Sequence, residues 1–145
     1  MGWKSYELDR EAQKLVLDAR ERDPKSLNQS HKMRMAVVYG LERFWGEHLR
    51  LKGKEETKSK YWKETWDALA KVMDNAGVTI PNDPIRPNSK GELPTQDIQA
   101  MSAKLWQLPI EDQRVAIAVL TQLCDCIVWW TQRYKTGRGT DETDS

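Results

Sequence analysis

Residues 117–130, IAVLTQLCDCIVWW, form the most apolar stretch of the chain and contain both cysteines and two of its seven tryptophans. Such a stretch suits a membrane anchor, a redox or metal site, or the central helix of a helical domain. A bilayer-spanning helix needs about 20 predominantly apolar residues. This stretch is shorter and carries Asp125, so no spanning helix is expected. Cys124 and Cys126 are two positions apart, which on a helix points them about 200° away from each other. They neither chelate one metal together nor close an unstrained disulfide. Two reduced, mostly buried thiols are expected.

The central-helix reading remains. At about 100° per residue, Ala116, Ile117, Leu120, Leu123, Cys124, Ile127, Trp130 and Tyr134 share one broad face. Val115, Ala118, Gln122, Asp125, Cys126, Trp129 and Arg133 lie opposite. The N-terminal half is thus apolar all round. A helix of that kind is central in its domain or buries its second face against a partner. Trp129 therefore has two readings: a second layer of core, or an interface anchor or base-stacking platform. Val115 and Ala118 share its side and would join it in a protein interface.

Elsewhere the apolar residues recur at helical spacing, and strand alternation is almost absent. A first helix is expected over 6–22, with Ser5 as N-cap and Leu8, Ala12, Leu15, Val16 and Ala19 on its core face. Asp23-Pro24 ends it, because the residue before proline disfavours helix. A second is expected over 27–52, with Val37, Leu41, Phe44, Trp45 and His48 inward and Gly53 beyond its end. A third covers 55–76, with Trp62, Trp66, Leu69, Ala70 and Met73 inward. Residues 77–94, GVTIPNDPIRPNSKGELP, contain four prolines and two glycines and exclude a regular element. Two helices follow, one from about Thr95 with Ile98, Met101 and Leu105 inward, and one from Pro109 to Lys135. The expected class is all-α: a compact bundle of about five helices, with a Pro-rich crossover loop before the last two. One domain over 1–135 is expected, followed by a disordered polar tail over 136–145.

The composition fits a soluble, cytoplasmic protein: 39% hydrophobic and 31% charged residues, with a mean hydropathy of −0.77. MGWKSYELDRE has no signal-peptide core. The net charge is only +1, so no global field draws in polyanions. The charge is nevertheless uneven. Residues 25–63 contain ten basic and four acidic side chains, a net +6 that leaves the rest of the chain at −5. On a continuous second helix Lys32, Tyr39, Arg43 and Arg50 fall on one line, opposite Leu41. The line runs on into RLKGKEETKSKYWK, with Lys52, Lys54, Lys58, Lys60 and Tyr61. Such a stripe is either an ordinary solvated face or a grip on RNA or single-stranded DNA phosphates, with Tyr39 or Tyr61 stacking on bases. No DNA-reading motif is present, so sequence-specific readout is not expected.

Catalytic signatures are missing. There is no Gly-rich phosphate loop, no Gly-x-Ser-x-Gly elbow and no His-Glu-x-x-His. Carboxylates are scattered among lysines and arginines, the pattern of a solvated helix face. His48 projects onto an apolar face, as a satisfied core histidine does, and His31 lacks a carboxylate or cysteine neighbour. No metal site, no cofactor and no enzyme activity are expected. A small helical enzyme or cofactor binder would have to use a pocket under the 77–94 loop.

The residues VAIAVLTQLCDCIVWWTQRY, 115–134, and the basic segment 32–52 resemble the small helical subunits of type III CRISPR effector ribonucleoproteins. Those subunits also end in a long helix with a tryptophan and arginines near its end. The resemblance implies a non-catalytic structural subunit that stacks along a crRNA-guided complex. It would touch neighbouring subunits and the guide–target duplex. Here Lys32, Arg43, Arg50, Lys52, Arg133 and Lys135 are the implied phosphate contacts. The 77–94 loop and the high tryptophan content depart from that family. The expected partners are other protein subunits and nucleic acid, with no membrane. The alternative is a protein–protein adaptor or homo-oligomer with no nucleic-acid role.

Overall fold

The computed structural model describes residues 7–136, and within them the chain is all-helical, with six α-helices and no strand. Helix α1 spans Glu7–Arg22, α2 Gln29–Ala36, α3 Leu41–Leu51, α4 Glu56–Asn75, α5 Thr95–Trp106 and α6 Ile110–Thr136. The expected N-cap at Ser5 and most of the polar tail lie outside the described residues, and α6 runs one residue past the expected domain edge.

Six helices rather than five result because the expected second helix is not continuous. A 3-10 turn over Pro24–Asn28 precedes α2, and a second over Val37–Tyr39 follows it. Gly40 then adopts φ 98°, ψ 171°, a conformation open essentially to glycine alone, and α3 sets off in a new direction. Gly53 (φ 88°) makes the next turn, where its N–H donates to the Glu56 carboxylate. At the end of α4, Gly77 (φ 87°) donates to Asp74 O while Val78 N–H reaches back to Met73 O, the paired bonds of a Schellman cap.

Helix α6 packs chiefly on α1 and α2, and α3 packs on α4. The α1 face is Leu8, Ala12, Leu15, Val16 and Ala19, all buried. From α4, Tyr61, Trp62, Trp66, Leu69 and Met73 enter the core, where Phe44 lies against Trp62 at 4.9 Å between ring centroids. α6 supplies Ala116, Leu120, Leu123, Cys124 and Ile127.

Several polar groups inside this core are paired, although Trp45 Nε1 is buried without a partner. Ser30 Oγ lies 2.6 Å from both Tyr61 Oη and Thr131 Oγ1, joining α2, α4 and α6. Trp62 Nε1 donates to Gln29 Oε1 at 2.9 Å. Pairing matters because a buried polar group without a partner costs about 1–3 kcal/mol.

Residues 78–94 lack helix but are anchored. Ile80 and Ile85 are buried, Trp66 Nε1 donates to Pro81 O at 3.2 Å, and Asn82 donates to Asp67. Lys104 on α5 pairs with Asp83. The loop is thereby held across the α3–α4 side of the molecule.

Contrary to expectation, α6 is long and apolar enough to cross a membrane by length and composition: an 18-residue window within Ile110–Lys135 has a mean hydropathy of 1.3. The central helix of a helical core passes the same test. Here 39% of that window is buried by the other helices, and Asp125 is tied to Arg34 of α2.

Candidate functional site

Three surface features bear on function: the outer stripe of α6, the basic corner where α3 meets α4, and a cleft beneath the 78–94 loop.

Along α6, Val115, Ala118, Gln122, Asp125, Trp129 and Arg133 are exposed, at the spacing of one helical face. Trp129 is 54% exposed, which overturns the reading of it as a second core layer. Its ring sits edge-on to Trp130 at 5.0 Å, and the Arg133 guanidinium lies over Trp129 at 5.4 Å and over Trp130 at 5.5 Å. Trp130 stacks on Tyr134 and donates to Asp9 of α1. Trp129 is thus an exposed ring held on a fixed aromatic base. Lys135 is exposed in the next turn. Asp125 carries the Arg34 ion pair at 2.6 Å.

The break at Gly40 separates Lys32 on α2 from Arg43 and Arg50 on α3, so the expected single-helix stripe does not exist. Part of it is rebuilt by packing. The charges of Lys32 and Arg50 both act on Glu55 at the start of α4. The bonded Lys58 ammonium is the main cause that pulls the Glu55 carboxyl below its ordinary value, with smaller pulls from Lys32 and Arg50. Arg50 is paired with Glu47, whose hydrogen bond raises the guanidinium pKa further. Arg43 lies over the exposed Tyr39 ring at 5.7 Å. Lys52, Lys54 and Lys60 are exposed, and no ion pair engages them among the described residues.

Tyr61 does not belong to this surface. It is fully buried and bonded to Ser30, and burial pushes its phenol up to about 12, so it cannot stack on a base. The helical phase of α4 places Tyr61 with Trp62, Thr65, Trp66 and Leu69. The lysines on either side of it had obscured that phase in the sequence.

The cleft has a volume of about 380 Å³. Arg22 from the end of α1, His48 from α3, Lys52 from the turn after it, and Lys60 and Lys63 from α4 supply its basic groups, and Pro84 and Ile85 form its loop wall. Arg22 is held by Glu64, and Lys63 by Asp67. Lys52 and Lys60 are therefore its unengaged cations. Glu56 is its acid and is turned to Gly53 N–H, while the Thr57 hydroxyl donates to Asp23 and Ser59 to His48 O.

His48 is only 7% exposed. Its Nδ1 contacts Trp45 O, and a carbonyl only accepts, so Nδ1 carries the proton. Desolvation is the main cause that lowers the imidazole pKa, with Lys63 and Lys52 adding to it. Nε2, then a lone-pair acceptor, has no protein partner, and His48 lines the cleft. The sequence placed His48 on an apolar face. It gave no sign that the end of α1 and the 84–85 wall would enclose its free edge.

The cysteines behave as structural thiols. Cys124 is buried, and desolvation raises its pKa; Cys126 is half-buried and pushed up to about 11 by desolvation and then by Asp9. No group of three or more His, Cys, Asp or Glu side chains suited to a metal ion occurs among the described residues. Comparison of the chain with protein-family models, curated proteins and solved structures finds no match.

Proposed function

We propose that this protein is a non-catalytic helical subunit of a larger nucleoprotein assembly, touching RNA or single-stranded DNA phosphates through its basic corner and neighbouring subunits through α6. The observation that carries the reading is the run of exposed cations along this part of the chain: Lys32 on α2, Arg43 on α3, Lys52 and Lys54 in the α3–α4 turn, and Lys60 on α4. Such a patch cradles a backbone without reading its sequence, because phosphates attract cations through charge and counterion release. The exposed stripe with Val115, Ala118 and Trp129 supplies the subunit contact, since exposed aromatics are favoured interface anchors. The resemblance of segments 115–134 and 32–52 to small subunits of type III CRISPR effectors makes a crRNA-guided cytoplasmic complex the first assembly to examine.

The test is fluorescence anisotropy with single-stranded RNA across a salt series. Binding should weaken steeply as salt rises, and Arg43→Glu with Arg50→Glu should weaken it at every salt concentration while the melting temperature holds. Unchanged RNA binding by that double variant removes the nucleic-acid role. The adaptor reading, favoured by the exposure of Trp129, then takes its place. In that case Trp129→Ala abolishes association at any ionic strength.

A further inference from the structure

We propose that the cleft between α1, α3, α4 and the 78–94 loop is a binding site for a phosphate monoester group, gripped by Lys52 and Lys60 and hydrogen-bonded through His48 Nε2. The inference shares Lys52 and Lys60 with the nucleic-acid reading but stands in addition on His48 and the cleft, and the His48 ring resonances tell the two apart.

Two independent observations converge. Lys52 and Lys60 line the cleft with no carboxylate engaged, whereas Arg22 and Lys63 there are neutralised by Glu64 and Asp67. Separately, His48 is more than nine-tenths buried with one ring nitrogen bound and the other without a protein partner. A ligand that meets two ammonium groups and a lone-pair acceptor must carry negative charge and a proton together. A phosphate monoester does both as its monoanion, the form held up to its second ionisation near pH 6. Its anionic oxygens accept from the lysines, and its O–H donates to Nε2. Sulfate, fully ionised, offers no such proton.

The volume of about 380 Å³ exceeds what one phosphoryl group fills and leaves room for the carbon group that bears it, against Pro84 and Ile85. Acidic groups bound the site without closing it. Glu56 is turned to the Gly53 amide, Asp23 stands behind Thr57, and Asp67 engages Lys63. Glu56 is thus the acid that a bound anion approaches most directly.

The full chain is titrated with inorganic phosphate while the ¹⁵N resonances of the His48 ring are followed by NMR. A saturable shift is expected at His48. Lys60→Gln should weaken binding about tenfold, the loss of one charge-assisted contact. Glu56→Gln should strengthen it, and sulfate should bind more weakly than phosphate near neutral pH. All these positions except His48 are open to solvent, so the variants keep the fold. A 5′-phosphorylated RNA oligonucleotide that outcompetes its 5′-hydroxyl twin would assign the site to a chain end. Equal competition by the two, with inorganic phosphate still saturating, would assign it to a free phosphorylated compound. No saturable shift, or a shift untouched by Lys60→Gln, overturns the proposal. Equal binding of sulfate and phosphate overturns the role given to His48.

Discussion

Ser30 Oγ on α2 lies 2.6 Å from Tyr61 Oη on α4, inside the core and out of reach of solvent. Tyr61→Phe leaves Ser30 with Thr131 alone and should cost about 1–2 kcal/mol in urea unfolding. The same variant should bind polyanions as the parent does, because a buried ring contacts no ligand. A selective loss of RNA binding would contradict the burial of Tyr61.

The phenol also ties stability to alkaline pH. Its folded-state value is raised to about 12 from an ordinary 10.0. Below pH 10 both states hold the proton and the full contribution is present. Between pH 10 and 12 the unfolded chain gives up its proton first, so stability falls by about 1.4 kcal/mol per pH unit from this group. Subtracting the Tyr61→Phe curve from the parent curve should isolate that slope. Parallel curves would show that the phenol ionises alike in both states.

Trp66 and Trp129 should part company on truncation. Trp66 is fully buried, and replacing it with Ala should cost about 3–5 kcal/mol and release Pro81 of the loop. Trp129 is half-exposed, and its replacement should change stability by less than about 1 kcal/mol. Chemical denaturation of both variants checks the pair, and comparable losses would mean that Trp129 is covered in solution.

Gly40 tests the break between α2 and α3. A Cβ there meets no atom within 4 Å, so Gly40→Ala isolates the backbone cost of φ 98°. A loss of about 1–3 kcal/mol is expected from thermal unfolding. An unchanged melting temperature would mean that the two helices can run on as one.

Thiol labelling reports on the cysteines. With Cys124 buried and Cys126 pushed up to about 11, both should react slowly with an aromatic disulfide reagent near neutral pH and fast in denaturant. Rapid labelling of the folded chain would contradict this environment.

Much of the core was legible because helical period and burial coincide. All five residues expected on the α1 face are buried, as are Leu120, Leu123, Cys124 and Ile127 on α6. The junction at Gly40 was not legible, because a glycine inside an apolar rhythm only weakens a helix on paper. Lys32 and Arg50 illustrate the same limit. A continuous helix would have aligned them, and instead they lie on separate helices whose charges both act on Glu55. The cleft depends on residues as far apart as Arg22 and Ile85, so no local pattern announces it.

The pairing of α1 with α6 has a consequence for how the molecule is made. The helix that covers Leu8, Val16 and Ala19 is the last of the six to leave the ribosome. Until residues beyond 109 emerge, the nascent chain carries an apolar face with nothing to close on, and Ser30 and Tyr61 lack their Thr131 partner. Completion of the core therefore waits for α6, and translation that stalls within α6 leaves a species suited to capture by chaperones rather than a smaller folded domain.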